Sequence, residues 1–190
     1  MKTLKELVEK FRDGIFLAPS RATGETYMEP IMRKYLNLSK AKGKKYDALD
    51  KDGKRVEIKC SKVLVTRVKY PSLVERIMSE SEENVLTRLI PFADCYVSEY
   101  DSNIQNIKRD HLDELLYILL FEDCIKIFKS DKKDIANIQR WSGKHGLMDK
   151  VGKNGQFSIN KNNIEWHLEN NLVVTLTWDE VYEIAKPIII

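Results

Sequence analysis

Hydrophobic and polar positions along this chain switch between a helical period and a strand period several times. The first dozen residues, Met1-Lys2-Thr3-Leu4-Lys5-Glu6-Leu7 onward, repeat apolar positions at helical spacing and predict an amphipathic helix over residues 2–13, followed by a loop over 14–21. A second helix is expected over residues 25–36, with Pro30 setting its regular start. Two strand-like runs follow, at 46–49 and 56–65, separated by Asp52-Gly53, which marks a hairpin turn. Residues 72–88 read as a charged helix or loop, and 92–100 as a further strand. Residues 110–122 fit a helix, or a helix leading into a strand, while 124–129 alternate as a half-buried strand. Near the C-terminus, Thr177 and Glu180 form the capping-box pattern of a terminal helix. With no internal repeat and no low-complexity linker, this order predicts one α/β domain over 1–190, a mixed central sheet flanked by helices. Residues 1–130 would form the core and 131–190 a C-terminal part.

The hairpin carries the candidate chemistry, and its loop length decides whether that chemistry assembles. A two-residue turn at Asp52-Gly53 would pair Asp47 with Ile58 and put Asp47 and Glu57 on opposite faces. A three-residue loop, Lys51-Asp52-Gly53 with glycine left-handed, moves the register by one and sets Asp47 opposite Glu57. Lys59, two residues beyond Glu57, shares its face. Two carboxylates at cross-strand distance suit a hard cation such as Mg²⁺, which takes oxygen ligands and is often held by one or two carboxylates together with a substrate phosphate. A neighbouring ammonium can orient a water and offset charge on phosphorus oxygens. The plainer reading is a solvated hairpin whose acids and lysines are surface charges.

Asp47 followed after ten residues by Glu57-Ile58-Lys59 resembles the PD-(D/E)XK nuclease signature of type II restriction endonucleases and related DNA-cleaving enzymes. Tyr46 stands where that pattern has proline. The resemblance implies a restriction-endonuclease-like fold and Mg²⁺, with Mn²⁺ as a substitute. It places Asp47, Glu57 and Ile58 at the metal and has Lys59 serve the attacking water. It also implies a supporting acid on the preceding helix, for which Glu25 and Glu29 are the candidates, one helical turn apart. An acidic residue near a helix start also has the ordinary role of offsetting the helix dipole.

Overall charge adds little, but its distribution does. The formal net charge is only +3, yet residues 31–70 hold thirteen Lys and Arg against four acids, while 71–123 hold four against twelve. Double-stranded DNA would therefore lie across the hairpin side, with Lys42, Lys44, Lys45 and Lys62 as phosphate contacts. Residues 139–156 place four glycines among bases and amides and form a candidate recognition loop, in which Arg140, Lys144, His145, Asn154 and Gln156 are the candidate DNA contacts. Trp141 in that loop reads more readily as a core anchor than as a stacking residue, and His167 as structural.

Three cysteines share no metal-ligand spacing and read as buried thiols of a reducing cytoplasm, with Cys60 facing the core. No apolar run reaches membrane-spanning length, and the start of the chain lacks a signal-peptide apolar stretch. The expectation is a DNA endonuclease of a restriction system, working as a homodimer or with a partner subunit. A junction-resolving or repair nuclease, and a non-catalytic nucleic-acid-binding subunit, are the alternatives.

Overall fold

The computed structural model of this chain describes residues 3–43, 45–66, 72, 74–75, 85–142 and 154–188. Its organising element is strand β5, Glu114–Leu120, all seven residues of which are buried. A run that is apolar on both faces suits a central strand covered on both sides. β5 pairs in parallel with β3, Arg55–Lys62, in the register Glu57↔Leu115 and Lys59↔Tyr117. On its other side it pairs antiparallel with β6, Cys124–Asp131. Short strands β1 (Ser39–Lys40) and β2 (Ala48–Leu49) extend the sheet beyond β3, and β8 (Leu172–Thr177) extends it beyond β6, giving the order β1-β2-β3-β5-β6-β8. A separate antiparallel pair is formed by β4 (Ser102–Ile107) and β7 (Gly155–Ile159). The architecture is thus mixed α/β, a mixed sheet flanked by helices.

Two apolar layers cover the sheet. Leu116, Ile118 and Leu120 of β5 pack under α1 (Leu4–Leu17), α2 (Glu29–Tyr35) and α4 (Trp178–Ala185), whose Phe16, Met32, Trp178 and Val181 complete that cluster. On the opposite face Leu115, Tyr117 and Leu119 meet the β4–β7 pair and α3 (Ile164–Asn171) through Ile104, Ile107, Phe157 and Ile164. No helix among the described residues is long and apolar enough to cross a membrane.

Several local expectations change once packing is seen. Helix α1 does not stop before Gly14 but runs on to Leu17, because Ile15 and Phe16 are buried on the face that Val8 begins. Its start has the Thr3–Glu6 capping box. Residues 22–28 form a π-helical segment before α2, with the Glu29 N–H donating to the Gly24 carbonyl five residues back. Pro30 lacks an N–H and its ring would collide with the carbonyl four residues earlier, and the wider turns relieve that conflict. Residues 92–100 are not a strand. Phe92–Tyr96 is a 3₁₀ turn, closed by the Asp94 N–H on the Pro91 carbonyl (3.0 Å) and tethered by the Phe92 N–H on Asp123 Oδ1 (2.8 Å). Most of residues 72–88 lies outside the described residues; of those described, Val85–Arg88 is a 3₁₀ turn. The expected Thr177–Glu180 capping box is present at α4.

Cys60 lies on the core-facing side of β3 beside Val56 and Ile58 and is half-buried, while Cys95 and Cys124 are buried; all three are free thiols. Burial pushes the Cys60 and Cys124 thiols up to about 12. Trp141 packs its ring against Gly155 so closely that a Cβ there would meet the ring at 1.9 Å, so the tryptophan is a core anchor. His167 is fully buried, with Nδ1 2.9 Å from the Tyr117 hydroxyl and its ring stacked on Phe157.

That burial sets a pH dependence. Desolvation lowers the His167 pKa from 6.5 to about 4, so between these values the unfolded chain binds a proton that the folded chain refuses. Stability is therefore full above about pH 6.5 and falls as the pH drops towards about 4. Urea unfolding near pH 7 and near pH 5 will show that His167→Gln removes about 2 kcal/mol of the difference between the two pH values.

Candidate active site

The β2–β3 connection is the three-residue loop. Gly53 has φ +79°, the Asp50 N–H donates to the Lys54 carbonyl (3.0 Å), and the Gly53 N–H donates to the Asp50 carbonyl (3.1 Å). Asp50 Oδ1 holds the loop from within by accepting the N–H groups of Asp52 and Lys54, each at 2.8 Å. The resulting register, Leu49↔Arg55 and Ala48↔Val56, leads to Asp47 beside Glu57. Here the sheet forks. The Asp47 N–H still reaches the Val56 carbonyl (3.0 Å), but its carboxylate takes over the next ladder position, with Oδ2 accepting the Ile58 N–H at 2.7 Å.

Asp47, Glu57 and Lys59 meet in the fork. Lys59 Nζ lies 2.6 Å from Glu57 Oε1 and 4.0 Å from Asp47 Oδ2, so both carboxylates converge on one ammonium. Glu57 is 2% exposed, Lys59 22% and Asp47 27%, which places the acid at the floor and the other two at the mouth. Burial raises the Glu57 pKa above the ordinary carboxyl value and Asp47 adds to the rise, while Lys59 and, more distantly, Lys108 oppose it. In an extended strand the N–H and C=O of one residue leave on the same side. The Ile58 N–H meets Asp47, so its carbonyl opens onto the fork too.

The two helical acids part company. Glu25 is exposed and paired with Arg21 at 2.9 Å. Glu29 is half-buried, 3.5 Å from Arg33, and its pKa is raised by desolvation and then by the nearby Asp47. Glu29 is therefore the helical acid that faces the fork, a difference that the i, i+4 spacing did not reveal.

Among the expected DNA contacts, Lys42 and Lys45 are exposed in the β1–β2 connection. Lys62 does not point outward. Its ammonium donates to the carbonyls of Phe16 (2.8 Å) and Ala18, closing the C-terminus of α1, and desolvation lowers its pKa. The phosphate role expected for it gives way to this structural tie, because the carbonyls at a helix end demand donors. Arg140 is exposed with φ +59° and donates to Ser158 Oγ (3.2 Å). Gln156 pairs its backbone with Ser142 as part of β7, and Asn154 is half-buried just before that strand. Lys44, Lys144 and His145 lie outside the described residues.

No protein-family model matches the chain, and a search of curated proteins finds no match.

The chemistry of the fork suits a hard divalent cation. Asp47, Glu57 and the Ile58 carbonyl supply oxygen donors only, and burial, with Asp47 adding to it, raises the Glu57 pKa, so a cation there would favour the ionised carboxylate. Among the described residues no group of three or more His, Cys, Asp or Glu side chains could hold a metal ion. Mg²⁺ does not demand one, since water and substrate phosphate complete its shell.

Because the loop sets this register, its glycine is critical. Gly53→Ala will place a Cβ in the left-handed region and lower stability by about 1–2 kcal/mol, read as a lower urea midpoint with an unchanged slope.

Proposed function

We propose that this protein is a divalent-metal-dependent endonuclease that hydrolyses phosphodiester bonds in DNA, with the fork at Asp47, Glu57 and Lys59 as its active site. The observation that carries the reading is the convergence of both carboxylates on the Lys59 ammonium, at 2.6 and 4.0 Å, in the register of the three-residue loop. A solvated hairpin would leave these groups exposed and apart, whereas Glu57 is almost wholly buried. Burial of ionisable groups in mutual contact, at an opening in the sheet, is how active sites hold charge ready.

Each residue then has a role. Asp47 and Glu57 hold Mg²⁺, with the Ile58 carbonyl as a further oxygen donor, and Mn²⁺ substitutes. The bound cation supplies Lewis-acid polarisation of the scissile phosphate. Lys59 positions the attacking water and offsets charge that develops on the phosphorus oxygens. Glu29, beside Asp47, supports the site from α2. The same residues match the PD-(D/E)XK pattern, which favours a restriction-endonuclease-like version of the mixed sheet. Within that group we favour a type II restriction endonuclease. One such site cuts one strand, so cleavage of a duplex calls for a second copy in a two-fold dimer or for a partner subunit.

Incubation with plasmid DNA and Mg²⁺ tests the reading. Cleavage that EDTA abolishes is expected, and discrete fragments mark sequence-specific restriction, whereas structure-specific cutting marks a junction or repair enzyme. Asp47→Asn will abolish cleavage while the chain still binds duplex DNA, because the charge removed repels phosphate. Lys59→Ala will lower kcat by about 10²–10³-fold, on the scale of other charge-stabilising groups. Cleavage by either variant at the rate of the unsubstituted protein would place the active site elsewhere.

A further inference from the structure

Strand β4, a segment well outside the hairpin motif, packs against β3. Two hydrogen bonds fix its path. Ser102 Oγ donates to the Lys62 carbonyl (3.2 Å) at the far end of β3, and the Asp113 N–H donates to the Arg55 carbonyl (2.8 Å) at its near end. Between these anchors the chain runs back along β3, past the stretch that carries Glu57 and Lys59.

The path is not that of a plain strand. Ile104 pairs with Phe157 and Ile107 with Gly155, so β4 holds one extra residue, and Asn106 takes φ +57°. A bulge of this kind redirects the side chains that follow it, and bulges recur beside functional sites. Here it keeps Ile107 in the core and delivers Lys108 and Arg109 immediately afterwards.

Both cations are half-buried, and among the described residues neither has a carboxylate within ion-pair distance. Among the described residues the Arg109 Nε is buried with no hydrogen-bond partner, while its guanidinium lies 5.8 Å from the Trp141 ring. Lys108 is close enough to Glu57 to favour the ionised carboxylate. Two adjacent half-buried cations with no carboxylate in ion-pair contact among the described residues are unusual, since buried charge is normally paired. Such a pair is open to an anion from outside.

We propose that Lys108 and Arg109 form a phosphate anchor that grips the nucleic-acid backbone across the fork from Asp47, Glu57 and Lys59. The inference rests on the nuclease reading for the identity of the polyanion. Each cation that neutralises a phosphate releases counterions, so it leaves a mark in the salt dependence of binding that a purely structural residue does not. The contact is with backbone rather than base edges and therefore acts on all sequences alike.

The test measures binding of a fluorescent duplex by anisotropy across a salt series, in the Asp47→Asn background so that nothing is cut. Lys108→Met is expected to reduce the slope of log K against log salt by about 0.9, equally on unrelated sequences, while Lys108→Arg restores it. Lys108→Met with Arg109→Met is expected to reduce it by about twice as much. Lys133→Met, on an exposed turn, serves as the control and is expected to leave the slope unchanged. Thermal melts establish that each variant is folded, and the single variants carry the test if the double variant is not. An unchanged slope in folded Lys108→Met, or no measurable binding by the parent, overturns the proposal. Mg²⁺-dependent plasmid cleavage by the unsubstituted protein is scored separately. Cleavage with a slope indifferent to Lys108 rejects the anchor alone, and a slope that depends on Lys108 without cleavage rejects the nuclease reading alone.

Discussion

Burial of β5 on both faces is the constraint from which the remaining arrangement follows. A strand with no solvent face needs a layer above and a layer below, and the helices and the β4–β7 pair supply them. It also needs a neighbour along each edge for its backbone groups, and β3 and β6 are those neighbours. Even the polar start of the strand is compensated, because buried Glu114 lies 2.8 Å from Lys54 and 3.3 Å from Lys129. Parallel pairing with β5 holds β3 rigidly in register, so Glu57 and Lys59 are presented from a fixed strand rather than a loop.

The fork arises because β2 is too short to follow β3. After Ala48 the ladder partner is lost, and the polar groups that β3 would have given to a longer β2 are met by a side chain. Asp47 satisfies the Ile58 N–H and in doing so brings its own charge beside Glu57. The arrangement is unfavourable for the carboxyls, as the raised Glu57 and Glu29 pKa values show, and Lys59 only partly offsets it. Local charge of this kind is tolerated because the surrounding packing is extensive, and stability given up at a site is commonly tied to function.

The outer structure depends on ties made far along the chain. Lys62 joins β3 to the end of α1, Trp178 Nε1 donates to the Phe121 carbonyl at 3.1 Å to dock α4, and Trp141 seats on Gly155 to close the β4–β7 pair. Two of them use a residue type that reads differently in isolation: a lysine as a surface charge, a glycine as a loop marker.

What the amino-acid sequence determined by itself is what short-range chemistry controls. Asp52-Gly53 marks a hairpin and Thr177 with Glu180 a helix start, while the loop's length, and with it the facing of Asp47 and Glu57, is settled by the hydrogen bonds of Asp50 and Gly53 in the folded loop. Such signals act within a few residues, so they are legible without a partner. Tertiary structure decided everything that depends on a distant neighbour. The short strands β1, β2 and β8 exist because an adjacent strand offers them a ladder, and Phe92–Tyr96 turns rather than extends because Asp123 captures its N-terminal N–H. Glu29 rather than Glu25 faces the fork because of how the helix lies on the sheet, and Lys62 serves a helix end because α1 terminates beside it. In each case the deciding contact spans many residues of sequence, and local pattern carries no record of which distant group will arrive.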